Sequence, residues 1–155
     1  MSAEEWIKLE EEVAMRVTNP GVSTIEEMRK RSGLEFLRDI AAGALPLPPI
    51  GKTLNFFLLE ADEGRVVFQG TPTFDFYNPI GSVHGGWAAT LLDSCMGCAV
   101  HSTLKTGYGY TTAELKLNLV RPMSDTTGPV RAEGKVIHVG RQIATSEGQI
   151  GRAHV

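Results

Sequence analysis

A chain of 155 residues with 42% hydrophobic and 21% charged side chains has the composition of one globular domain, which excludes a disordered chain, a collagen and a coiled coil. The net charge of −3 offers no basic field for nucleic acid, so no nucleic-acid partner is expected. Two cysteines are too few for a disulfide-rich scaffold.

Residues 1–44 are predicted to form an N-terminal helical arm and linker ahead of the main domain at residues 45–155. Apolar residues recur at a near-helical period within residues 3–42, among many Glu and Lys side chains. Asn19-Pro20-Gly21 breaks this pattern, and a second helix is predicted from Ile25 to about Ala42. The arm should lie as an amphipathic layer on the domain surface.

A change of period marks the start of a sheet. Residues 45–49, Leu-Pro-Leu-Pro-Pro, predict an extended linker, since proline disfavours helix at its own position and at the preceding residue. Residues 53–61 and 65–74 are rich in aromatic and β-branched side chains and are joined by Asp62-Glu63-Gly64. This pattern predicts a β-hairpin.

A long helix is predicted at residues 84–104, where Asp93 is the only charged residue and proline is absent. Nearly every side of this helix is apolar or small, so we expect it to be buried all round. A membrane span is the alternative, but a mid-segment Asp and the surrounding strand pattern argue against it, and no membrane partner is expected. Cys95 and Cys98 are interpreted as small core residues rather than a metal-binding or redox pair.

Three more strands are predicted after this helix. Residues 110–120 alternate between apolar and polar side chains, which indicates a strand with one buried face. Strands at residues 130–139 and 142–150 follow. The order of elements predicts an α+β domain in which one curled antiparallel sheet surrounds a central helix.

Asp93 needs a physical reason, because a carboxylate inside a buried helix is costly unless it is paired, hydrogen-bonded or protonated. A structural partner such as His101 or a backbone donor is one explanation. A functional role is the other, because His84-Gly85-Gly86 lies nine residues upstream at the helix start. Open backbone N–H groups and the helix dipole there could polarise a carbonyl oxygen.

Several motifs occur together in this sequence: Asn78-Pro79-Ile80-Gly81-Ser82-Val83-His84-Gly85-Gly86, Leu91-Leu92-Asp93, Tyr110-Thr111-Thr112-Ala113-Glu114-Leu115-Lys116 and Arg121-Pro122. In this combination the chain resembles the hotdog-fold acyl-CoA thioesterases of the phenylacetate-degradation (PaaI-like) type over about residues 50–150. The resemblance implies a hotdog fold and a homodimer that forms the site, and we expect two such dimers to assemble into a homotetramer. It also implies that acyl-CoA is hydrolysed to the free acid and CoA.

The resemblance also implies roles for individual residues. Gly86 would donate its N–H to the thioester carbonyl, and Asp93 of the facing subunit would act as nucleophile or general base. His84 and Asn78 would hydrogen-bond the thioester region and hold the turn. Thr112 would orient the attacking water, with Thr111 as the alternative.

Four residues are candidates for contacts with CoA: Gly85, Arg141, Lys116 and Arg121. No cofactor is expected, since CoA is part of the substrate, and no metal is expected because the four His residues lack metal-ligand spacing. The chemistry needs neither, because a thiolate is a good leaving group and one carboxylate with one polarising donor can suffice. Reduced cysteines and an acidic start favour the cytoplasm.

Two alternative functions stay open on the sequence alone. One is a hotdog hydratase or dehydratase that acts on a thioester-bound acyl chain, and the other is a non-catalytic acyl-CoA-binding hotdog protein. The chain end at residues 151–155 keeps the second alternative open. Family members usually continue into a final strand, so we expect that strand to be missing or altered here.

Overall fold

The structure, a computed structural model, describes residues 2–16 and 19–152. Within these ranges the helices are α1 (Ala3–Arg16), α2 (Ile25–Arg29), α3 (Gly33–Ala41), α4 (Pro49–Thr53) and α5 (Gly85–His101). The strands are β1 (Phe56–Asp62), β2 (Arg65–Gly70), β3 (Val130–Val139) and β4 (Ala144–Arg152). A short 3-10 helix covers Phe74–Phe76.

One antiparallel sheet in the order β1-β2-β3-β4 carries the fold. β1 and β2 form the predicted hairpin, which closes with Asp62 opposite Arg65 and has Gly64 at a φ of 76° in its turn. Helix α5 packs against the sheet with a fully buried Leu91 and a nearly buried Trp87. The predicted α+β architecture, a sheet around a long central helix with an N-terminal helical arm, is confirmed.

Helix α5 approaches β3 so closely that Gly134 has no room for a side chain. A Cβ at this position would overlap the backbone carbonyl of Cys95. Gly134→Ala should therefore lower the free energy of unfolding by about 1–3 kcal/mol, the usual cost of overpacking. Urea denaturation measures it. Gly151→Ala in β4, where a Cβ would meet nothing within 4 Å, is the matched control, and equal stability of both variants would contradict this close approach.

Helix α1 is anchored to the sheet by polar contacts around the fully buried Gln69. The Gln69 side-chain amide donates to the carbonyl of Trp6 at 2.8 Å, and Thr71 donates to Glu10 at 2.7 Å. The Arg131 guanidinium lies 4.1 Å from the centre of the Trp6 ring. Contacts with Gln69, Thr71 and Arg131 therefore hold α1 on the sheet, although the Trp6 indole N–H has no hydrogen-bond partner among the described residues.

The second helix of the arm is shorter than predicted. Two helices, α2 and α3, replace the single helix expected from Ile25 to Ala42, and residues 17–18 of the first predicted helix lie outside the described residues. Ser32 starts α3 with a capping box to Glu35. Gly33 follows because a Cβ there would overlap the carbonyl of His101 in α5. The chain thus restarts its helix where it meets α5.

The predicted hairpin strands were too long at their outer ends. Residue 53 ends helix α4, which begins at Pro49 in the predicted linker, where proline suits the first helical position. β2 ends at Gly70 rather than at residue 74. Pro72 has no N–H for a ladder hydrogen bond, so the strand cannot continue through it.

The expectation that α5 is buried all round is wrong for the single chain. Gly86 is exposed, Asp93 is only half-buried, and Thr90 and Gly97 share their face of the helix. The sheet covers only the opposite side. We call this side, which the sheet does not cover in the single chain, the open side of α5.

The predicted strand at residues 110–120 is also wrong. The segment pairs with no described strand, and all of it except Leu117 is exposed. It runs along the open side of α5, with Tyr110 against Gly97 at one end and Leu119 against Gly85 at the other. Tyr110 and Thr112 contact α5 near one end of the segment, and Leu119 contacts it near the other. In a regular strand, even-numbered and odd-numbered residues point to opposite faces, so this segment does not keep the two-residue period of a strand.

The last strand runs from Ala144 to Arg152 and pairs with β3 along its length, two residues later at each end than predicted. Residues 153–155, on which part of the expectation about the final strand falls, lie outside the described residues.

Candidate active site

The turn before α5 is held by Asn78. Its side-chain oxygen accepts from the N–H groups of Ile80 and Ser82 at 3.1 and 3.2 Å, and its amide donates to the Ser82 hydroxyl at 3.0 Å. Gly81 has a φ of 86°, a left-handed conformation that suits glycine. The Asn78 side chain is therefore occupied in shaping the loop that leads into the helix.

His84 is the N-cap of α5. Its Nδ1 accepts a hydrogen bond of 2.8 Å from the Gly86 N–H, and its own N–H donates to the Phe76 carbonyl at 2.7 Å. Both His84 and Gly86 are exposed. The His84 imidazole thus accepts the Gly86 N–H that, by the resemblance, would be donated to a thioester carbonyl oxygen. A ligand oxygen bound there would replace the imidazole as acceptor.

Asp93 lies two turns further along α5. Its Oδ1 accepts a hydrogen bond of 2.8 Å from the Thr112 hydroxyl, which crosses from the segment at residues 110–120. Among the described residues, neither His101 nor a backbone N–H hydrogen-bonds the Asp93 carboxylate. Of the two neighbouring threonines, Thr112 is the one that contacts Asp93.

Other hydroxyls on this side of α5 bond back into the helix itself. Thr90 donates to the carbonyl of Gly86 at 2.9 Å, and Ser94 donates to that of Thr90 at 2.7 Å. These hydroxyls are therefore committed locally, whereas the second oxygen of Asp93 has no hydrogen-bond partner among the described residues. That oxygen is available to a substrate or to water.

Beside Asp93 lies a cavity of about 160 Å³, called here the first cavity. Its polar end is formed by Asp93, Ser94, Cys98 and Tyr110, and the rest of its wall is apolar. Burial raises the pKa of the Cys98 thiol to about 11, with the Asp93 charge adding to the effect. Burial also raises the pKa of the Tyr110 phenol above its ordinary value. The Cys98 thiol and the Tyr110 phenol are therefore uncharged at neutral pH.

Burial also raises the pKa of the other cysteine, Cys95. Its side chain is fully buried, and burial raises the pKa of its thiol to about 12. Neither cysteine forms a disulfide. In the parts of the chain that the structure describes, no group of three or more His, Cys, Asp and Glu side chains is arranged to hold a metal ion.

The structure brings some predicted site residues together and separates others. Asp93 and Thr112 meet, and His84, Gly86 and Asn78 gather at the helix start. From Gly86 to Asp93 the helix rises about 10 Å, since each residue adds about 1.5 Å. One carbonyl group therefore cannot touch both within one chain.

The candidates for CoA contacts lie at the surface. Gly85 packs so closely on Leu119 that a Cβ would lie 2.5 Å from its Cδ1. Arg141 and Arg121 are exposed, and Lys116 lies 3.4 Å from Glu114 with both side chains largely in solvent. Solvated basic side chains such as these are free to meet phosphate.

The residues that the motifs missed are those of the cavity wall. Tyr110, Cys98 and three side chains of the arm and linker, Leu37, Ile40 and Leu47, line the first cavity. No spacing rule would have found this set, because its members come from distant parts of the chain.

An antiparallel sheet packed on the long helix α5, with His-Gly-Gly at the helix start and Asp93 on the side away from the sheet, defines a hotdog fold. Within the described ranges no helix is long and apolar enough to cross a membrane.

Comparisons with known proteins agree with this class. Residues 80–153 match the family model of the thioesterase superfamily. A thioesterase-type protein from Ralstonia eutropha JMP134, related to phenylacetic acid degradation, has a TM-score of 0.68 and 26% identity, over 76% of this chain and 89% of that one. A Streptococcus mutans UA159 protein solved with acetyl CoA has a TM-score of 0.56 and 23% identity, over 63% and 76% of the two chains.

A Halobacterium salinarum protein that bears the name esterase is 37% identical over 67 residues. That match spans 43% of this chain and 44% of the relative, so the chain matches less than half of that relative's length. Together the matches confirm the predicted resemblance to PaaI-like hotdog thioesterases, and they support the predicted enzyme class, a thioester hydrolase.

Proposed function

We propose that the protein is an acyl-CoA thioesterase that hydrolyses acyl-CoA to the free acid and CoA. The observation that carries this proposal is the position of Asp93. Its carboxylate lies on the open side of α5, is held by the Thr112 hydroxyl at 2.8 Å, and lines an apolar cavity. A carboxylate with an unpaired oxygen beside an apolar pocket suits attack on an acyl group.

The active site is proposed to form between two copies of the chain. Gly86 and Asp93 lie on the same side of α5 but about 10 Å apart, so they can share a carbonyl only if they come from different subunits. A two-fold axis across the open side of α5 places Gly86 of one copy opposite Asp93 of the other.

The surface on that side also supports a homodimer. Leu119 and Val120 are 54% and 88% exposed, and β4 has no neighbour on its outer edge among the described strands. Exposed apolar side chains and a free sheet edge each favour pairing with another chain. A tetramer built from two such dimers remains a prediction.

The helix N-terminus supplies the polarising donor. The thioester carbonyl oxygen accepts the Gly86 N–H after the His84 ring turns away from it, so the number of hydrogen bonds is conserved. The dipole of α5 then stabilises the negative charge that develops on that oxygen. Asn78 keeps the turn in place while this exchange occurs.

Asp93 supplies the base or the nucleophile. As a base it takes a proton from water while the water oxygen bonds to the carbonyl carbon, and the C–S bond then breaks to release the CoA thiolate. As a nucleophile its oxygen bonds to that carbon first and the C–S bond breaks to release the CoA thiolate, which leaves a mixed anhydride. Water then cleaves the anhydride to the free acid and restores the Asp93 carboxylate. In both routes Thr112 orients the carboxylate by donating to Oδ1.

CoA is proposed to lie along the exposed surface near Gly85, with Arg141, Lys116 and Arg121 as partners for its phosphates. The CoA ligand of the similar Streptococcus mutans protein supports this class of substrate. The adenosine end remains in solvent, while the acyl end passes into the interface.

Thiol release from a panel of acyl- and aryl-CoA substrates tests the proposed function. Release of one thiol per carboxylate formed is the expected result. Parallel measurement of enoyl absorbance separates hydrolysis from hydration. Binding of CoA thioesters without thiol release, or a change in enoyl absorbance alone, would contradict the thioesterase assignment.

A further inference from the structure

The first cavity is closed by the N-terminal arm rather than by the sheet alone. Leu37 and Ile40 of α3 and Leu47 of the linker line it together with Phe56 and Phe68 of the sheet. Asp93 lines the same cavity. An acyl group that enters this cavity from a carbonyl at Asp93 therefore meets side chains of the arm and linker.

The size of the first cavity limits what can enter it. A cavity of about 150 Å³ lined by aliphatic and aromatic side chains holds one benzene ring. The 160 Å³ available here therefore suits an aryl group or an aliphatic chain of about six carbons beyond the carbonyl. Longer chains need additional space.

That additional space exists behind one wall. A second cavity of about 410 Å³ lies between α1 and the start of β1, and it is lined by Glu10 and Val13 among others. Three residues line both cavities: Leu47, Gly51 and Phe56. The two cavities are therefore neighbours that share a thin partition.

Leu47 supplies an apolar side chain to that partition. A Cβ at Gly51 would lie 3.3 Å from Leu47 Cδ1 and 2.7 Å from the carbonyl oxygen of Phe56, so the Leu47 side chain packs over a position where only glycine fits. Its backbone is fixed, because the Leu47 carbonyl accepts from the Gly21 N–H at 2.9 Å and prolines flank it on both sides. The side chain cannot withdraw by a shift of the linker.

We propose that the first cavity is the acyl pocket and that Leu47 is the end wall that limits the acyl chain. The inference rests on the proposed thioesterase function. It assigns aryl and short to medium aliphatic acyl-CoA as the substrate class. It also makes Leu47 a specificity-determining residue, because a smaller side chain there joins the two cavities.

The test is a chain-length profile of kcat/KM for thiol release, from butanoyl-CoA to tetradecanoyl-CoA, with phenylacetyl-CoA included. Wild type should prefer hexanoyl- or octanoyl-CoA over dodecanoyl-CoA by about tenfold or more. Leu47→Ala should raise the ratio of dodecanoyl to hexanoyl turnover by about tenfold. Val13→Ala, which enlarges the second cavity without touching the partition, should leave the ratio as in wild type.

The outcomes separate the inference from the function on which it rests. No thiol release from any substrate by wild type would overturn the thioesterase proposal itself. An active, folded Leu47→Ala variant with the wild-type ratio would overturn only the role of Leu47, as would an equal shift in Val13→Ala. Should Leu47→Ala fail to fold by circular dichroism, Leu47→Val is expected to shift the ratio in the same direction by less, and an unchanged ratio there would overturn the inference.

Discussion

Asp93→Asn is expected to remove thiol release almost completely, lowering kcat by about 10²–10⁴-fold. Asparagine keeps the size of the side chain and can still accept the Thr112 hydrogen bond. It cannot take a proton from water or attack a carbonyl carbon. Steady-state thiol release measures the effect, with KM and the urea midpoint recorded to show that binding and folding survive.

Asp75→Asn is the matched control for this prediction. Asp75 lies exposed in the 3-10 helix and lines neither cavity, so its replacement removes one negative charge without touching the site. Its turnover should equal that of wild type. Wild-type turnover by Asp93→Asn would instead show that Asp93 is a structural residue paired with Thr112 and takes no part in the reaction.

Gly86→Pro is the second change with a large expected effect. Proline removes the N–H that is proposed to polarise the carbonyl, and removal of one such donor costs about 10²–10³ in kcat. In the structure this N–H bonds only the His84 side chain, so no backbone hydrogen bond of α5 is lost. The first turn of a helix also tolerates proline.

Gly86→Ala separates the donor from the space around it. Alanine keeps the N–H but places a Cβ 2.9 Å from His84 Nδ1, so the imidazole has to move slightly. We expect a much smaller loss of kcat than for Gly86→Pro, measured by the same thiol-release assay. Equal losses in the two variants would mean that crowding at the helix start, and not the N–H, explains the effect.

The elements that local patterns describe were predicted well. The β1–β2 hairpin has a turn with glycine at positive φ, and α5 is an uninterrupted run without proline, so each is determined by residues close in the chain. The break at Ser32 was also visible in the sequence, because Ser32 and Glu35 have the spacing of a capping box.

The segment at residues 110–120 shows what local patterns cannot supply. Its alternating sequence shows that one face could be buried. A strand forms, however, only where a neighbouring strand provides backbone hydrogen-bond partners. No described strand does so in the single chain, and its Thr112 meets α5 instead. Likewise, the motif spacing pointed to Asp93 but not to Leu47, because the cavity wall depends on how the arm folds back on the domain.

The claim at the centre of this account is that each site combines Gly86 of one subunit with Asp93 of the other. Co-expression of Asp93→Asn and Gly86→Pro chains with different affinity tags, followed by purification on both tags, isolates the mixed dimer. Each parent should be inactive, whereas the mixed dimer contains one intact site and one doubly altered site. Thiol release at about half the wild-type rate per dimer is the predicted result. A purified mixed dimer as inactive as its parents would contradict the shared site.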